Sequence, residues 1–282
     1  MLANTTRLDD ATYLRHLSAD SYRLVEVLAA TDPRAAVPTC PGWSADDLLF
    51  HVLTVQSFWR QVVANGVTTA PAAQAIEPPP RPDSRPGLLE AVRAQTDELA
   101  RALADTPADE PRWTWWGEQT VSFTIRRQAH EACIHRLDAE LTAAPDGGMR
   151  SPIDDALAAD GVDEALRVMR GERPAWATLR PEAGRTVRVV ATDTGSTWLV
   201  TLAQLVGTDE RGEQRADPAI YVAGDDPVDG TVRPVGILSA TGEDLYCRLW
   251  QRPVITEPHR AGDLPLVAEV EGVLALPLPT HR

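Results

Sequence analysis

Cysteine is scarce in this chain of 282 residues, and its three cysteines stand far apart. Cys40, Cys133 and Cys247 form no CxxC pair and are odd in number, so the sequence contains no disulfide framework. The first ten residues, MLANTTRLDD, also lack the basic and apolar regions of a signal peptide. We therefore expect a protein of a reducing, cytoplasmic compartment.

Positive charge is in short supply as well, with 27 Lys and Arg against 41 Asp and Glu and a formal net charge of -14. An acidic surface repels phosphate groups, which argues against nucleic acid or an anionic membrane as a partner. No apolar run reaches the length needed to span a bilayer. The hydrophobic fraction of 43% is ordinary for a soluble protein with a core, and the length suits two domains.

The N-terminal half shows helical patterns, predicted at about 8–30, 44–66, 87–105 and 124–144. Ser44 is a suitable N-cap for the second helix, and Asp47 three residues later completes a capping-box pattern. The Pro-rich segment TTAPAAQAIEPPPRPDSRP connects the second and third helices and cannot be helical throughout. Four helices with one long connection favour an antiparallel four-helix bundle.

The C-terminal part changes to alternating patterns. RTVRVVATDTG and STWLVTLAQ predict a hairpin around Thr194–Gly195, with PAIYVAG and LPLVAEVEGVLALPL as further strands. TGEDLYCRLWQR predicts a helix, with Leu245, Cys247 and Leu249 facing inward. The predicted fold class is α+β, with the helical bundle and short trailing helices in residues 1–180 and a smaller α+β domain in 181–282.

One predicted helix carries ionisable groups where an amphipathic helix would carry apolar ones: RRQAHEACIHRLDAE. Glu131 and His135 share a face, because residues four apart differ by roughly 40° around a helix axis. Gln128 and Asp138 extend that face, and Asp138, one turn beyond His135, could lie near a site on that face as a supporting hydrogen-bond acceptor. Such a face is either solvated, which is usual for charged helix faces, or holds a metal ion in the bundle interior.

The same stretch does not contain the zinc-protease motif HExxH. In HEACIH the second histidine comes one position too late, and Ile134 occupies the required place. Cys133 lies on a different side of the helix from Glu131, so we expect it to be a packed core cysteine.

The second helix adds a further imidazole. His51 shares an apolar face with Leu48 and Phe58, where a lone histidine is usually a core residue. Together with Glu131 and His135, however, the bundle offers two imidazoles and one carboxylate. This is a ligand set of catalytic zinc, which leaves one coordination position open. On spacing alone, both interpretations of His51 stay open.

Three parts of the chain resemble the mycothiol-dependent maleylpyruvate isomerase family, a branch of the DinB-like metalloproteins. VPTCPGWSADDLLFHVLTVQSFW is similar to its opening motif, and WTWWGEQTVSFTIRRQAHEACIHRLDAEL to its second motif. RVVATDTGSTWLVTL and GEDLYCRLWQR resemble its C-terminal domain, which is related to sterol-carrier folds. The resemblance implies a DinB-like four-helix bundle followed by a smaller sterol-carrier-like α+β domain.

The resemblance also implies a site. His51, Glu131 and His135 fall on the three metal-ligand positions of the family, and zinc is the expected metal, with other divalent metals open. Mycothiol, the actinobacterial thiol, is the implied cosubstrate. Arg252 matches an arginine of the C-terminal domain suited to an anionic substrate, which makes it a catalytic candidate, although a surface arginine explains the position equally well.

The implied function is that of a mycothiol-dependent isomerase or S-transferase acting on a small electrophilic molecule, as a monomer or homodimer. The identity of the substrate does not follow from the metal triad. Two alternatives remain: a metal-dependent hydrolase, and a non-catalytic paralogue that binds a small molecule.

Overall fold

The computed structural model describes residues 6–146, 148–223 and 233–277, and it divides into two compact units. One unit is Leu8–Pro152, and the other joins the residues up to Arg7 to the chain from Ile153 onward. A helical unit followed by a sheet with helices confirms the predicted α+β class. Residues 1–5, which were considered above for a signal peptide, lie outside the described residues. So do Gly224 and Leu278, the last residues of two predicted strands.

The N-terminal unit is a bundle of four long helices with a short helix in the Pro-rich connection. The first and second long helices each pack on both the third and the fourth. Among the described residues, no helix is both long and apolar enough to cross a membrane. The helices are α1 (Asp10–Ala29), α2 (Ala45–Ala64), α3 (Ala70–Gln74), α4 (Arg85–Asp105) and α5 (Val121–Ala143).

Side-chain caps fix where the long helices begin. The predicted capping box of α2 is present: the Ser44 hydroxyl accepts the Asp47 N–H at 3.2 Å, and the Asp47 carboxylate accepts the Ser44 N–H at 3.0 Å. Helices α4 and α5 begin slightly earlier than predicted, because Ser84 and Thr120 cap them. Pro86 stands in the first turn of α4, where its missing N–H costs nothing.

In the described residues of the C-terminal unit, five strands form one sheet in the order β3-β2-β1-β4-β5. Strands β1 and β4 are parallel, and the other neighbours are antiparallel. In chain order the elements are α6 (Asp155–Glu164), a π-helical turn (Ala165–Met169), β1 (Ala177–Ala191), β2 (Thr197–Thr208), β3 (Gln214–Val222), β4 (Gly236–Ala240), α7 (Gly242–Leu249), β5 (His259–Gly262) and α8 (Leu264–Leu274).

Three predicted elements of this unit are present, and the strand predicted over PAIYVAG is part of β3. The β1–β2 hairpin turns at Gly195, whose φ of 73° suits glycine and whose N–H donates to the Ala191 carbonyl at 2.8 Å. The predicted helix is α7, and Leu245, Cys247 and Leu249 are all buried as expected.

The prediction of a strand over LPLVAEVEGVLALPL is wrong, because this segment forms helix α8. The Asp263 carboxylate accepts the Leu266 N–H at 3.1 Å as an N-cap, and Pro265 occupies the first turn. Leu266, Val270 and Leu274 are buried at helical spacing. Asp followed closely by Pro is a helix-start signal that outweighs the partial alternation of the segment.

The division between the compact units falls at Pro152, earlier than the sequence boundary near Arg180. Helix α6 groups with the sheet because its side chains pack there. Gly161 of α6 lies against Tyr246 of α7: a Cβ on this glycine would stand 2.5 Å from the Tyr246 ring, so α6 and α7 are in contact there. The Trp198 indole donates to the Asp163 carboxylate at 3.0 Å. The trailing helices therefore belong to the compact unit that follows them.

Candidate metal centre

Helix α5 is buried along almost its whole length, including most of its charged side chains. Arg126, Arg127, Asp138 and Glu140 are each at most 6% exposed. Burying charge is costly unless it is paired and hydrogen-bonded. A solvated stripe is therefore excluded as the explanation of this polar face, and its partners have to be found inside the protein.

His51, Glu131 and His135 converge on one point. The Glu131 Oε1 atom lies 3.2 Å from the His51 Nε2 atom and 3.1 Å from the His135 Nε2 atom. One potential ligand atom from each residue lies within 4.8 Å of the others. The side chains of His51 and Glu131 are 29% and 23% exposed, so a small molecule can reach the cluster.

Each of the three side chains is held by a neighbour. The Arg127 guanidinium donates to the Glu131 Oε2 atom at 2.8 Å and leaves Oε1 to the two histidines. The His135 Nδ1 atom lies 2.9 Å from the Asp138 carboxylate. Trp43 packs against His51, with ring centroids 4.7 Å apart. These contacts fix the direction in which the three potential ligand atoms point.

Charges in the cluster shift its ionisation. Burial would raise the pKa of Glu131, but the His135 charge, hydrogen bonds from both histidines and Arg127 lower the pKa well below its usual value. Burial would lower the pKa of His135, but the Glu131 carboxylate and the hydrogen bonds to Asp138 and Glu131 raise it to about 9. A proton on His135 Nε2 therefore occupies the position where a metal cation would bind.

The donor set fits a divalent metal ion. Two imidazole nitrogens and one carboxylate oxygen are ligands of zinc, with bonds of about 2.0–2.2 Å that separate tetrahedral ligand atoms by about 3.3–3.6 Å. The observed separations of 3.1 and 3.2 Å from Glu131 Oε1 differ from this by only tenths of an ångström. Glu131 could therefore share such an ion with either histidine after little movement, and the third pair of ligand atoms lies within 4.8 Å.

A second group of potential ligands shares one member with the first. Cys40, His135 and Asp138 also offer ligand atoms within 4.8 Å of one another. In this group Asp138 is engaged through both carboxylate oxygens, and His135 uses its Nδ1 atom. In the group of His51, Glu131 and His135, the Nε2 atoms of both histidines face the point where a metal would bind.

Arg252 lies in the C-terminal unit, whereas the three potential ligands lie in the N-terminal unit. Its guanidinium donates to the Trp250 carbonyl at 2.6 Å. The side chain lines a cavity of about 470 Å³, together with Leu245, Leu249 and Arg248. The structure thus brings together the predicted ligands, while the catalytic role of Arg252 stays a prediction.

Two residues that support the site were not predicted from the sequence. Arg127 stands four residues before Glu131, and an acidic–basic pair at this helical spacing is a readable signal. Trp43, in the TCPGW segment, contacts His51 and His135 only because the chain folds back before α2. No local sequence pattern predicts the contact of Trp43 with the two histidines.

Comparisons with known proteins find one matching family and two similar solved structures. Residues 14–140 match the sequence profile of the family described as the mycothiol maleylpyruvate isomerase N-terminal domain. A solved mycothiol-dependent maleylpyruvate isomerase has a similar fold at 12% identity, with a TM-score of 0.57 over 92% of this chain and 95% of that chain. A histidine-to-alanine mutant of a mycothiol-dependent maleylpyruvate isomerase gives a TM-score of 0.51 at 12% identity, over 86% and 88%. No curated protein matches the chain.

The matched segment contains His51, Glu131 and His135, together with Trp43 and Asp138. The structural similarity extends over both compact units and shows a shared fold. Residues 14–140 thus form a domain of the mycothiol maleylpyruvate isomerase N-terminal family.

Proposed function

We propose that this protein is a cytoplasmic, mycothiol-dependent metalloenzyme that isomerises, or transfers a thiol to, a small electrophilic substrate. The observation that carries the proposal is the convergence of His51, Glu131 and His135 on one point inside a domain of this family. Zinc is the proposed metal, because two imidazoles and one carboxylate form a catalytic zinc set.

The residues of the chain supply binding and orientation. Glu131 is aimed by Arg127, and His135 is aimed by Asp138, so that the two potential ligands of α5 point to His51 on α2. His51, Glu131 and His135 would hold the divalent metal, which would lower the pKa of a thiol bound beside them and so make the thiolate nucleophile available at neutral pH.

Arg252 is the proposed partner of an anionic group on the substrate. A guanidinium is suited to this task because it stays charged and can bind a carboxylate through two parallel hydrogen bonds. The apolar side chains of Leu245 and Leu249 line the same cavity and would surround the uncharged part of a ligand.

The test begins with metal content. We expect the purified parent to hold close to one equivalent of zinc by elemental analysis, and His51→Ala, Glu131→Ala and His135→Ala to lose it. His130→Ala is the matched control, because His130 lies on the same helix but packs against Tyr13. A parent that stays metal-free after zinc is supplied would contradict the proposed function.

The second step is a substrate screen with and without mycothiol. The proposal requires turnover that depends on both metal and thiol. Turnover without any thiol would instead identify a metal-dependent hydrolase. Tight ligand binding with no turnover under any thiol supplement would identify a binding protein.

A further inference from the structure

The carboxylate of Asp138 is fully buried and is held by groups from two separate segments. The Thr39 hydroxyl donates to its Oδ1 atom at 2.6 Å, and the Cys40 thiol lies 3.7 Å from its Oδ2 atom. The His135 Nδ1 atom is 2.9 Å from the same Oδ2 atom. The turn before α2 is thereby joined to helix α5 through one buried carboxylate.

This arrangement selects one form of the His135 ring. A carboxylate that only accepts hydrogen bonds keeps a proton on the Nδ1 atom of His135. The other ring nitrogen, Nε2, then faces Glu131 and His51 and is the atom that would coordinate a cation after releasing its own proton. A carboxylate in this position also makes the histidine a stronger metal ligand.

The turn itself is closed by its own hydrogen bonds. The Val37 N–H donates to the Trp43 carbonyl at 2.9 Å, and the Trp43 N–H donates to the Cys40 carbonyl at 3.0 Å. Gly42 adopts a φ of 86°, which a residue with a side chain rarely allows. The turn therefore presents Thr39 to Asp138 in a defined position and places the Trp43 ring beside both histidines.

We propose that Thr39 is a positioning residue of the metal centre, acting on His135 through Asp138. The proposal rests on the metal site of the proposed function. The Thr39 hydroxyl holds the carboxylate in the orientation that directs the His135 Nε2 atom toward Glu131 and His51. Cys40 contributes less, because a thiol is a weak donor and its contact with Asp138 is long.

Metal affinity tests this role directly, using cobalt as a spectroscopic probe. The metal-free protein is titrated with Co²⁺ and followed by its visible absorption, and zinc affinity is measured by competition. We expect Thr39→Val to weaken binding about tenfold, within the range typical of groups that support a metal ligand. Thr39→Ser, which keeps the hydroxyl, restores the affinity, and Cys40→Ala weakens binding less than Thr39→Val.

Thr142→Val is the matched control. The Thr142 hydroxyl donates to the backbone carbonyl of Asp138 at 2.7 Å and does not touch its carboxylate. It is buried on the same helix, so its loss tests packing near Asp138 without changing the carboxylate. We expect its cobalt affinity to match that of the parent.

A double variant shows whether Thr39 acts through Asp138. Asp138→Asn is expected to weaken binding by 10- to 100-fold. If Thr39 acts through Asp138, adding Thr39→Val to Asp138→Asn produces no further loss of cobalt affinity. If the two residues act independently, the two fold-losses of affinity multiply. Urea unfolding of each metal-free variant identifies any that fail to fold, and Thr39→Ala replaces Thr39→Val in that case.

Besides multiplicative losses in the double variant, three results would overturn the proposal. Equal cobalt affinity in the parent, Thr39→Val and Thr39→Ala would remove Thr39 from the metal centre and leave the proposed function intact. A sulfur-to-cobalt absorption band that disappears in Cys40→Ser would place the ion on Cys40, His135 and Asp138 instead. A parent that takes up neither cobalt nor zinc would overturn both the proposed function and this inference.

Discussion

Helix α2 contributes His51 from a mostly apolar interior side, whereas helix α5 contributes Glu131 and His135 from a face that is polar and largely buried. Around His51 the buried residues of α2 include Leu48, Val52 and Leu53. On α5 the potential ligands stand in a series of buried charged groups. The same site is thus built from two helices with opposite chemical character.

The difference concerns what each histidine does for the metal-free fold. His51 touches Glu131 and packs against Trp43, and its side chain remains 29% exposed. His135 lies between two carboxylates, Glu131 and Asp138, and its side chain is 10% exposed. His51 is therefore not needed to complete the core of the metal-free bundle. His135, in contrast, balances the negative charge of two carboxylates in the interior.

The largest loss of stability is expected on substitution of Arg136, which balances the charge of buried acidic side chains on and next to α5. Its guanidinium pairs with Asp20 at 2.7 Å and with Glu140 at 2.8 Å, and its side chain is 4% exposed. Arg136→Ala leaves both carboxylates without this partner and should lower the free energy of unfolding by about 3–5 kcal/mol. Urea unfolding of the metal-free protein measures the change.

Arg15→Ala is the control for this substitution, because Arg15 is an exposed arginine on α1. Its removal should change the unfolding free energy by less than about 0.5 kcal/mol. Similar values for the two variants would show that the buried polar face of α5 is not a stabilising network.

A smaller effect separates the two histidines. His135→Ala leaves Asp138 and Glu131 each without one buried partner, which should cost about 1–3 kcal/mol in the metal-free protein. His51→Ala should cost less than about 1 kcal/mol, because only a partly exposed ring is lost. Both variants should lose bound metal. Equal losses of unfolding free energy in His51→Ala and His135→Ala would contradict the difference proposed between α2 and α5.

The smallest effect concerns the start of α2 and depends on pH. Hydrogen bonds from the Ser44 hydroxyl, the Ser44 backbone N–H and Arg81 lower the pKa of Asp47 to about 2. Since this pKa lies below that of the unfolded chain, the stabilising contribution of Asp47 is present above pH of about 4 and is lost as the pH falls toward 2.

The comparison of the parent with Asp47→Asn isolates this contribution. Their difference in unfolding free energy should be constant between pH 5 and 7, at under about 1 kcal/mol, and should shrink below pH 4. A difference that grows on acidification would contradict the assignment of Asp47 as a charged cap. Urea unfolding at fixed pH values provides the measurement.

Local signals made much of the N-terminal unit predictable. The capping box at Ser44 and Asp47 and the spacing of Glu131 and His135 are properties of one helix each, so they can be read from neighbouring residues. In the C-terminal unit, the short strands β4 and β5 were not predicted, and α8 was taken for a strand. Elements of four or five residues carry too little periodicity to be recognised without their sheet partners.

The supporting contacts of the site could not be predicted in the same way. Thr39 and Asp138 are separated by 99 positions along the chain, yet their oxygens are 2.6 Å apart. Trp43 reaches His135 by a similar return of the chain. Residues at such separations meet only when the bundle is formed, and no sequence period records their contact.

The sequence by itself determined the helices of the bundle, the α+β class and the three side chains suited to a metal, because periodicity, caps and residue chemistry are local. Only the tertiary structure decided that the polar face of α5 is buried and that His51, Glu131 and His135 converge. It also decided which groups aim them, since Arg127, Asp138 and Thr39 act through contacts whose geometry exists only in the folded bundle.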